Sequence, residues 1–415
     1  MITRTLQADI LHWLDKEKIL IIKGSRQVGK TTLMRHIQQI LKDQGKETLY
    51  FAVDQELSNS IFRGSREFFT YLKDQFPEAS AEKKLYLFLD EFQYLKESGL
   101  FLKTLFDQSR DWLQLIVSGS SSLEITKNSE FMTGRTIDFR LQPLSYYEFI
   151  SYKTGLKLPR TIPLSDFATL QDFYRLYHQP LRLHLLEYFS FGGYPEVVVT
   201  PSQVDKERIV KELFHTYIEK DIIAFLRIGN VRGFQHLLKI LADQIGSLVK
   251  RSELSSTLEL RMETVKKYLG ILEGTYVIDM VVPYVTNMRK QLTKMPKVYF
   301  SDLGLRNLLI GKSMPISLIS GSERENFVYQ SLRSRYDQDQ VRFYRTISKA
   351  EIDFIVEDHQ RVIALEVKSA SKNISVPRVF RNLRKDVAVI VTDDLLEKRD
   401  GVLYIPMVLI PFLKL

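Results

Sequence analysis

The first 150 residues alternate short apolar runs with segments of helical periodicity. One such helical segment runs from Gly29 to Lys42. Because strands separated by helices form parallel sheets with helices on both faces, this region predicts an α/β domain. The runs expected to form its strands are Ile19–Ile22, Thr48–Val53, Leu85–Leu89, Leu115–Val117 and Arg135–Leu141.

The pattern becomes mostly helical from Leu144 to Leu248, with one strong turn signal at Gly192–Pro195. Between residues 249 and 302, a helix–turn–helix pattern precedes two segments that suit a hairpin, Thr275–Tyr284 and Lys297–Phe300. We therefore expect a helical middle region that ends in a small helical unit with a hairpin.

After Gly321 a helix over Ser322–Arg335 is followed by strand patterns again, so the last region is predicted to be a small α/β domain. Its expected strands are Val341–Thr346, Ile352–Val356, Val362–Val367 and Val387–Thr392. These changes of pattern predict four regions, which span residues 1–150, 151–248, 249–320 and 321–415.

The composition narrows the class of protein. The 415 residues are 44% hydrophobic and 26% charged, a balance that excludes a disordered or fibrous chain. The sequence has no cysteine, which excludes disulfides, cysteine-ligated zinc, iron–sulfur clusters and a cysteine nucleophile. The longest apolar stretch, Val402–Leu413, is shorter than the roughly 20 residues that a membrane helix needs. With no signal-peptide pattern at the N-terminus, we expect a cytoplasmic protein without a membrane partner.

The positive charge is concentrated in the middle of the chain. The net charge of +9 comes from 59 basic and 50 acidic residues. Residues 1–150 hold 20 of each, residues 151–300 hold 21 and 15, and residues 301–415 hold 18 and 15. An excess of this size suits either a nucleic-acid partner or a solvated lysine-rich surface.

A phosphate-binding loop follows the first predicted strand. Gly24–Thr31 matches the pattern G-x-x-x-x-G-K-[ST] between a strand and a helix. Backbone N–H groups and the helix N-terminus favour phosphate there, Lys30 can reach the β- and γ-phosphates, and the Thr31 hydroxyl can bind Mg²⁺. The alternative is a glycine-rich turn without a ligand. The residues predicted to hold the nucleotide are Gly24, Ser25, Arg26, Gln27, Val28, Gly29, Lys30, Thr31 and Thr32.

Two later strands end in polar residues that suit the same chemistry. The apolar strand before Asp90 and Glu91 predicts that Asp90 helps to hold Mg²⁺ and that Glu91 acts as general base on the attacking water. The strand Leu115–Val117 ends at Ser118, which could position that water or contact the γ-phosphate. An ordinary serine-rich turn is the alternative for Ser118.

Taken in their order along the chain, the phosphate-binding loop, the strand before Asp90 and the strand before Ser118 resemble motifs of a family of bacterial and archaeal AAA+-type ATPases. The resemblance covers nearly the whole chain. Its further elements are Gly134-Arg135, the segment Leu141–Phe149, Gly192–Pro195 and Tyr217–Asp221. The resemblance implies ATP as the nucleotide, a P-loop ATPase domain, a winged-helix-like region and a restriction-nuclease-like domain. It also implies that Arg135 contacts the γ-phosphate, in its own subunit or in a neighbour of a homo-oligomer. The alternative is a surface arginine.

The winged-helix-like region carries many basic residues. Recognition helices in such folds enter the major groove of DNA, and basic residues of the wing hold phosphates. We therefore expect a nucleic-acid partner, DNA in the first place, to bind through residues 249–415. In the alternative, this region only packs against the ATPase domain. The basic residues are Arg251, Arg261, Lys266, Lys267, Arg289, Lys290, Lys294 and Lys297.

A carboxylate cluster is predicted in the last domain. Glu366 and Lys368 share one face of a strand, and Asp353 lies on the strand before it. Asp353 and Glu366 could bind Mg²⁺, and Lys368 could orient or deprotonate a water. The pattern resembles the PD-(D/E)XK nuclease motif, with Glu325 as the acid of the first helix and Ile352 where proline is common. The alternative is a nuclease-like fold without activity.

Three functions remain open at this stage. The first is an ATPase that binds nucleic acid, and the second is a nucleotide-dependent switch that acts through protein partners. The third is an ATP-dependent nuclease.

Overall fold

The structure is a computed structural model whose described residues fall into two compact units. The first unit is Met1–Gln142 with Gly274–Tyr276, and the second is Pro143–Glu273 with Val277–Leu415. Two of the three predicted boundaries, at 248 and 320, therefore lie inside the second unit, and those subdivisions stay predictions. The described residues are 2–119, 134–224, 228–285, 295–346, 348–358, 361–369, 374, 376, 378–383 and 385–415.

A parallel sheet forms the centre of the first unit. Its described strands follow the order β2-β3-β4-β1-β5, and every pairing between them is parallel. This confirms the prediction of an α/β domain with a parallel sheet. The strands are β1 (Ile19–Lys23), β2 (Glu47–Ala52), β3 (Leu85–Asp90), β4 (Leu113–Gly119) and β5 (Thr136–Arg140).

Both faces of the three inner strands of this sheet, β3, β4 and β1, are buried. Ile19 and Ile21 belong to the core that Phe68 and Phe101 share with the other strands. Leu20 and Ile22 are also fully buried, and alternate residues of a strand point to opposite faces. The helices of the unit are α1 (Leu6–His12), α2 (Lys30–Asp43), α3 (Ser65–Gln75) and α4 (Ser98–Ser109).

The second unit begins with helices, as the sequence predicts. The first of them, α5 (Tyr146–Thr154), starts with a capping box between Ser145 and Glu148. A π-helical segment, His215–Ala224, contains the Tyr217–Asp221 signature. The other helices up to the hairpin are α6 (Phe167–Leu183), α7 (Leu185–Phe191), α8 (Pro195–Val199), α9 (Gln203–Phe214), α10 (Val231–Asp243), α11 (Arg251–Thr257) and α12 (Met262–Gly274).

Helices α10, α11 and α12 are followed by an antiparallel hairpin of β7 (Ile278–Val281) and β8 (Lys297–Phe300). A further helix, α13 (Leu303–Leu309), is capped by Asp302, whose carboxylate also accepts a hydrogen bond from the Gly193 N–H at 2.7 Å. The Gly192–Pro195 motif therefore lies against the residues after the hairpin.

A mixed sheet ends the second unit. Its described strands follow the order β13-β14-β12-β11-β10-β9, with β11, β12 and β14 parallel and the other pairings antiparallel. They are preceded by helix α14 (Gly321–Arg333), and α15 (Val379–Asn382) lies between β11 and β12. The strands are β9 (Val341–Arg345), β10 (Glu351–Asp358), β11 (Arg361–Val367), β12 (Val387–Thr392), β13 (Glu397–Arg399) and β14 (Val402–Pro406).

The apolar stretch Val402–Leu413 comprises β14, a short 3₁₀ segment, Met407–Phe412, and the first residue of the final strand. The final strand, β15 (Leu413–Lys414), pairs in parallel with β6 (Ile162–Pro163), so the C-terminal residues lie beside the early helices of this unit. Among the described residues, no helix combines the length and the apolar character that crossing a membrane requires.

Candidate functional site

The phosphate-binding loop lies between β1 and α2. Gly29 precedes the helix with φ of +95°, a left-handed conformation that suits glycine, and no side chain caps the helix. The first N–H groups of α2 are therefore available to an anion. Gly24 approaches the Leu141 carbonyl so closely that an added Cβ would lie 2.1 Å from the Leu141 oxygen.

Lys30 lies inside this loop. Its side chain is almost fully buried, and its Nζ donates to the carbonyl oxygens of Ser25 at 3.0 Å and Gly24 at 3.2 Å. The Glu91 Oε1 atom is 3.9 Å from the same Nζ. The ammonium is thus held by the loop backbone, where a phosphate bound by the loop would meet it.

Arg4 supports the loop from outside the motif. Its guanidinium donates to the Val28 carbonyl at 2.7 Å and to the Gln142 carbonyl at 2.6 Å. The sequence analysis missed this residue. It lies 20 positions before the motif and carries no pattern of its own, so only the folded chain reveals its contact with the loop.

Three hydroxyl groups converge on the Asp90 carboxylate. Strand β4 lies between β1 and β3, so Ser118 at its end comes beside Asp90 and donates to Oδ1. The Thr31 hydroxyl donates to Oδ2 at 2.6 Å, and the Tyr50 hydroxyl donates to the same oxygen at 2.7 Å. Burial and the Asp90 carboxylate raise the pKa of Tyr50, so its hydroxyl stays a donor. Tyr50 was not predicted, because Thr48–Val53 reads only as a strand.

Glu91 directly follows β3 in a left-handed backbone conformation, with φ of 54°. Such a conformation is uncommon for a residue other than glycine and is found often at functional sites. The Glu91 N–H donates to the Ser118 Oγ at 3.1 Å, and Gln93 donates to the Glu91 Oε2 at 2.5 Å. The Glu91 carboxylate is partly exposed, and its hydrogen bond with Gln93 orients it.

The donor set of this site fits a nucleotide with Mg²⁺. The Thr31 hydroxyl and the Asp90 carboxylate are oxygen donors, which Mg²⁺ prefers. An uncapped helix N-terminus and a buried lysine are groups that favour phosphate. The structure brings Lys30, Thr31, Asp90, Glu91 and Ser118 together, whereas Thr32 lies exposed on the first turn of α2.

Arg135 lies at the opposite end of the sheet. Its carbonyl accepts a hydrogen bond from the Ile19 N–H at the beginning of β1, whereas the phosphate loop follows the end of β1. Five strand residues separate the two ends by about 13 Å. The Arg135 guanidinium pairs with Asp107 at 2.8 Å. The alternative in which Arg135 contacts the nucleotide of its own subunit is therefore not supported by this fold.

The predicted carboxylate cluster forms in the second unit. Phe354 pairs with Leu365 in the antiparallel β10–β11 hairpin, so Asp353 and Glu366 face each other one position further along. The Asp353 Oδ2 accepts the Val367 N–H at 2.8 Å, and the Lys368 Nζ donates to the Glu366 Oε1 at 2.6 Å. Burial raises the pKa of Glu366, with the Asp353 charge as a further cause.

A second lysine lies within this cluster. The Lys297 Nζ is 2.5 Å from the Glu351 Oε1, 2.9 Å from the Glu325 Oε1 and 3.8 Å from the Asp353 Oδ1. Its side chain is 3% exposed. Burial alone would lower the pKa of Lys297, but its attraction to the three carboxylates raises it, so the ammonium stays charged. The sequence analysis assigned Lys297 to the basic wing and did not single out Glu351.

The predicted metal role of Asp353 and Glu366 has limited support in this geometry. Among the described residues, no group of three or more acidic or histidine side chains has the arrangement of a metal site. The Glu366 Oε2 is buried without a hydrogen-bond partner, but the neighbouring oxygens already face Lys297, Lys368 or a backbone N–H. The donor set therefore does not fit a bound divalent ion well while Lys297 is present.

The basic residues of the middle region are only partly described. Arg251 and Arg261 are exposed, as are Lys266 and Lys267 on α12, whereas Tyr268 is buried and belongs to the core. The predicted wing residues Arg289, Lys290 and Lys294 lie outside the described residues.

Comparisons with known proteins match the N-terminal region of the chain to a known family. Residues 16–150 match the model of a family described as an AAA domain. Residues 182–316 and 320–410 match two families described only as domains of unknown function. The first part of the chain is thus an AAA-type P-loop domain.

Several similar proteins are themselves uncharacterised. One from Haemophilus influenzae is 24% identical over 86% of this chain and 84% of its own length. One from Methanocaldococcus jannaschii is 24% identical over 94% of this chain and 84% of its own length. One from Mycobacterium tuberculosis is 24% identical over 92% of this chain and 76% of its own length.

Solved structures show only a distant likeness. The ADP form of the Aeropyrum pernix ORC2 protein is 13% identical, with a TM-score of 0.35 over 66% of this chain and 85% of its own. AMPPCP-bound DnaA from Aquifex aeolicus is 16% identical, with a TM-score of 0.27 over 65% of this chain and 86% of its own. At these TM-scores the likeness does not establish a common overall fold.

Proposed function

We propose that this protein binds ATP with Mg²⁺ and hydrolyses it at the phosphate-loop site. The observation that carries the proposal is the convergence of Lys30, Thr31, Asp90, Glu91 and Ser118, which come from one loop and two separate strands. Hydrolysis needs these groups at one place, and a glycine-rich turn without a ligand does not. The choice of ATP over GTP rests on the family resemblance.

Each residue has a distinct task in this proposal. The loop backbone and Lys30 hold the β- and γ-phosphates, while Thr31 and Asp90 hold the metal site. Mg²⁺ neutralises charge on the phosphates when it is bound. Glu91 orients the attacking water and accepts its proton, and Ser118 fixes Asp90 and the backbone of Glu91 beside each other.

Two further parts of the proposal extend beyond this site. Residues 249–415 bind nucleic acid, DNA in the first place, through a winged-helix-like region and a restriction-nuclease-like domain. The order of α10, α11, α12 and the β7–β8 hairpin supports the first assignment, and the helix α14 before a mixed sheet supports the second. The protein also forms a homo-oligomer in which Arg135 reaches the nucleotide of a neighbouring subunit, because it lies far from its own.

Two substitutions test the hydrolysis. Lys30→Ala removes the cation that meets the phosphates, and Glu91→Gln removes the base but keeps its size. Removing such a group lowers turnover by roughly 10²–10³-fold, so we expect phosphate release to fall by that factor in both variants. Phosphate release should be measured with saturating ATP and Mg²⁺.

The same experiment separates binding from chemistry. Glu91→Gln should still bind a fluorescent ATP analogue, whereas Lys30→Ala should bind it weakly. Lys42→Ala is the matched control, since Lys42 lies exposed in the last turn of the same helix. Wild-type hydrolysis in both site variants would refute the assignment of an ATPase.

A second candidate function is a nucleotide-dependent switch with an inactive nuclease-like domain. The position of Lys297 among the carboxylates favours it, because the ammonium occupies the cluster that a nuclease needs for its metal. Duplex DNA binding at rising salt discriminates the two candidates, since phosphate contacts weaken steeply with salt. Absence of binding at low salt would favour the switch.

A further inference from the structure

We propose that the Lys297 ammonium takes the place of a divalent cation in the C-terminal carboxylate cluster and prevents that cluster from binding one. The cluster is defined as Glu325, Glu351, Asp353 and Glu366. Lys297 comes from the β7–β8 hairpin, outside the sheet that carries most of these acids. The inference concerns this cluster alone and does not depend on ATP hydrolysis at the other site.

The first argument is position. The Lys297 Nζ lies within hydrogen-bond distance of Glu325 and Glu351 and 3.8 Å from Asp353, so it stands between helix α14 and strand β10. Carboxylate oxygens from these same elements would have to surround a divalent ion. An ammonium and a metal ion cannot both occupy the space between them.

The second argument is charge. With all groups ionised, four carboxylates and three neighbouring cations leave a net charge of −1. Binding of a divalent ion would change the net charge of the cluster from −1 to +1 while Lys297 is present. Without Lys297 the net charge is −2, which a divalent ion neutralises. The three cations and their partners are Lys297 with Glu325 and Glu351, Lys368 with Glu366, and Arg345 with Glu351.

The third argument is that Lys297 cannot easily leave. Its strand is bonded on one side to β7 through the pair Val281–Lys297 and bridged on the other side to Leu248. The neighbouring Pro296 carbonyl accepts a hydrogen bond from the Val249 N–H at 2.8 Å. The ammonium also lies 5.5 Å from the centre of the Phe343 ring. The backbone at Lys297 is therefore held on both sides, and its side chain leaves the cluster only by breaking its contacts with Glu325 and Glu351.

Limited access does not explain the exclusion. A cavity of about 640 Å³ has Lys297, Arg345 and Glu351 in its wall, so ions from solvent can reach this side of the cluster. The buried Glu366 Oε2 without a partner also remains open to a new ligand. A divalent ion is excluded because Lys297 fills the space between the carboxylates and neutralises part of their negative charge.

The test uses the full-length protein without nucleotide and Mn²⁺ as the probe. Free Mn²⁺ is measured by electron paramagnetic resonance, and thermal unfolding is followed with and without Mn²⁺. We expect Lys297→Met to bind Mn²⁺ at least about tenfold more tightly than wild type, because a nearby positive charge is removed. Mn²⁺ should raise the unfolding temperature of this variant but not that of wild type. A second substitution, Asp353→Asn, should abolish both gains.

Lys312→Met is the matched control. Lys312 pairs with the buried Glu323 at 2.6 Å, outside the cluster, so its loss should lower stability without creating a response to Mn²⁺. If Lys297→Met fails to fold even with Mn²⁺, the charge-balanced variant Lys297→Met with Glu325→Gln takes its place. A folded variant that gains no Mn²⁺ binding overturns the proposal. So does tight Mn²⁺ binding by wild type that Asp353→Asn removes.

Discussion

The phosphate-loop site and the C-terminal carboxylate cluster each contain a buried lysine and carboxylates. The two lysines differ in the groups that they contact. In the first, the Lys30 ammonium donates to two backbone carbonyls, and the Glu91 carboxylate is 3.9 Å away. In the second, the Lys297 ammonium lies directly on two carboxylates, at 2.5 and 2.9 Å. The ion-pair contacts of the second lysine are therefore much closer than the Glu91 contact of the first.

This difference shows why residue type alone does not define a site. A charged group acts on a ligand when its neighbours in the fold leave its charge unmatched. Lys30 donates hydrogen bonds to carbonyl dipoles, and its ion-pair contact with Glu91 is long. Lys297 meets full negative charges, so it contributes to the stability of the domain instead.

The comparison predicts that the two lysines differ most in their effect on stability. Lys297→Ala leaves buried carboxylates without a counter-ion, so we expect the free energy of unfolding to fall by roughly 3–5 kcal/mol. Lys30→Ala should lower it by only about 1 kcal/mol, because its hydrogen bonds go to neutral carbonyls and its ion-pair contact with Glu91 is long. Urea unfolding of both variants measures this. Equal losses in the two variants would contradict the comparison.

Asp302 provides an intermediate case, a buried carboxylate that is held by N–H groups. Its oxygens accept from Gly193 at 2.7 Å and from Leu305 at 2.9 Å. Burial raises the pKa of Asp302 to about 6, above the value of about 3.9 expected in the unfolded chain. The folded state therefore binds the proton more tightly, and this contribution to stability is complete below pH 4 and is lost as the pH rises through 6.

We expect this group to lower the free energy of unfolding by roughly 2–3 kcal/mol between pH 4 and pH 7. The measurement is the difference in unfolding free energy between wild type and Asp302→Ser across this range. Serine keeps a helix cap but does not titrate here, so the other groups cancel. A difference that stays constant with pH would show that the Asp302 carboxylate is not penalised by burial.

The smallest expected effect concerns Tyr50, whose hydroxyl donates a hydrogen bond to Asp90 in the phosphate-loop site. Tyr50→Phe removes one of the hydroxyl donors to Asp90, which should cost about 1 kcal/mol of stability and reduce ATP turnover severalfold. Chemical unfolding and phosphate release measure the two effects. Tyr71→Phe is the control, because the Tyr71 ring packs on Phe51 in the same unit. Equal effects in both variants would mean that Asp90 does not need the Tyr50 hydroxyl.

Most strands and the main helices of both units follow the sequence pattern closely. The strand Val387–Thr392 is found at the predicted residues, and the helix predicted over Gly29–Lys42 spans Lys30–Asp43. Strand β14 was not predicted, since Val402–Leu413 is a continuous apolar run without alternation. Half of that run is a 3₁₀ segment, which periodicity does not distinguish from a buried strand.

The sequence by itself determined the phosphate loop, the acidic end of β3 and the serine at the end of β4. These features are local, because a glycine-rich turn, a helix start and an apolar strand each depend on neighbouring residues. It also placed Asp353 and Glu366 on paired strands, since a short hairpin brings such residues opposite each other.

Only the tertiary structure decided which charges meet. Arg4 and Tyr50 reach the nucleotide site from other elements, and Lys297 enters the carboxylate cluster from a separate hairpin. The strand order places Arg135 at the far end of the sheet from the phosphate loop. These contacts join residues far apart in the chain, and their pairing depends on how whole elements pack. Local sequence patterns do not predict this pairing, so the fold alone determines which charges lie together at each site.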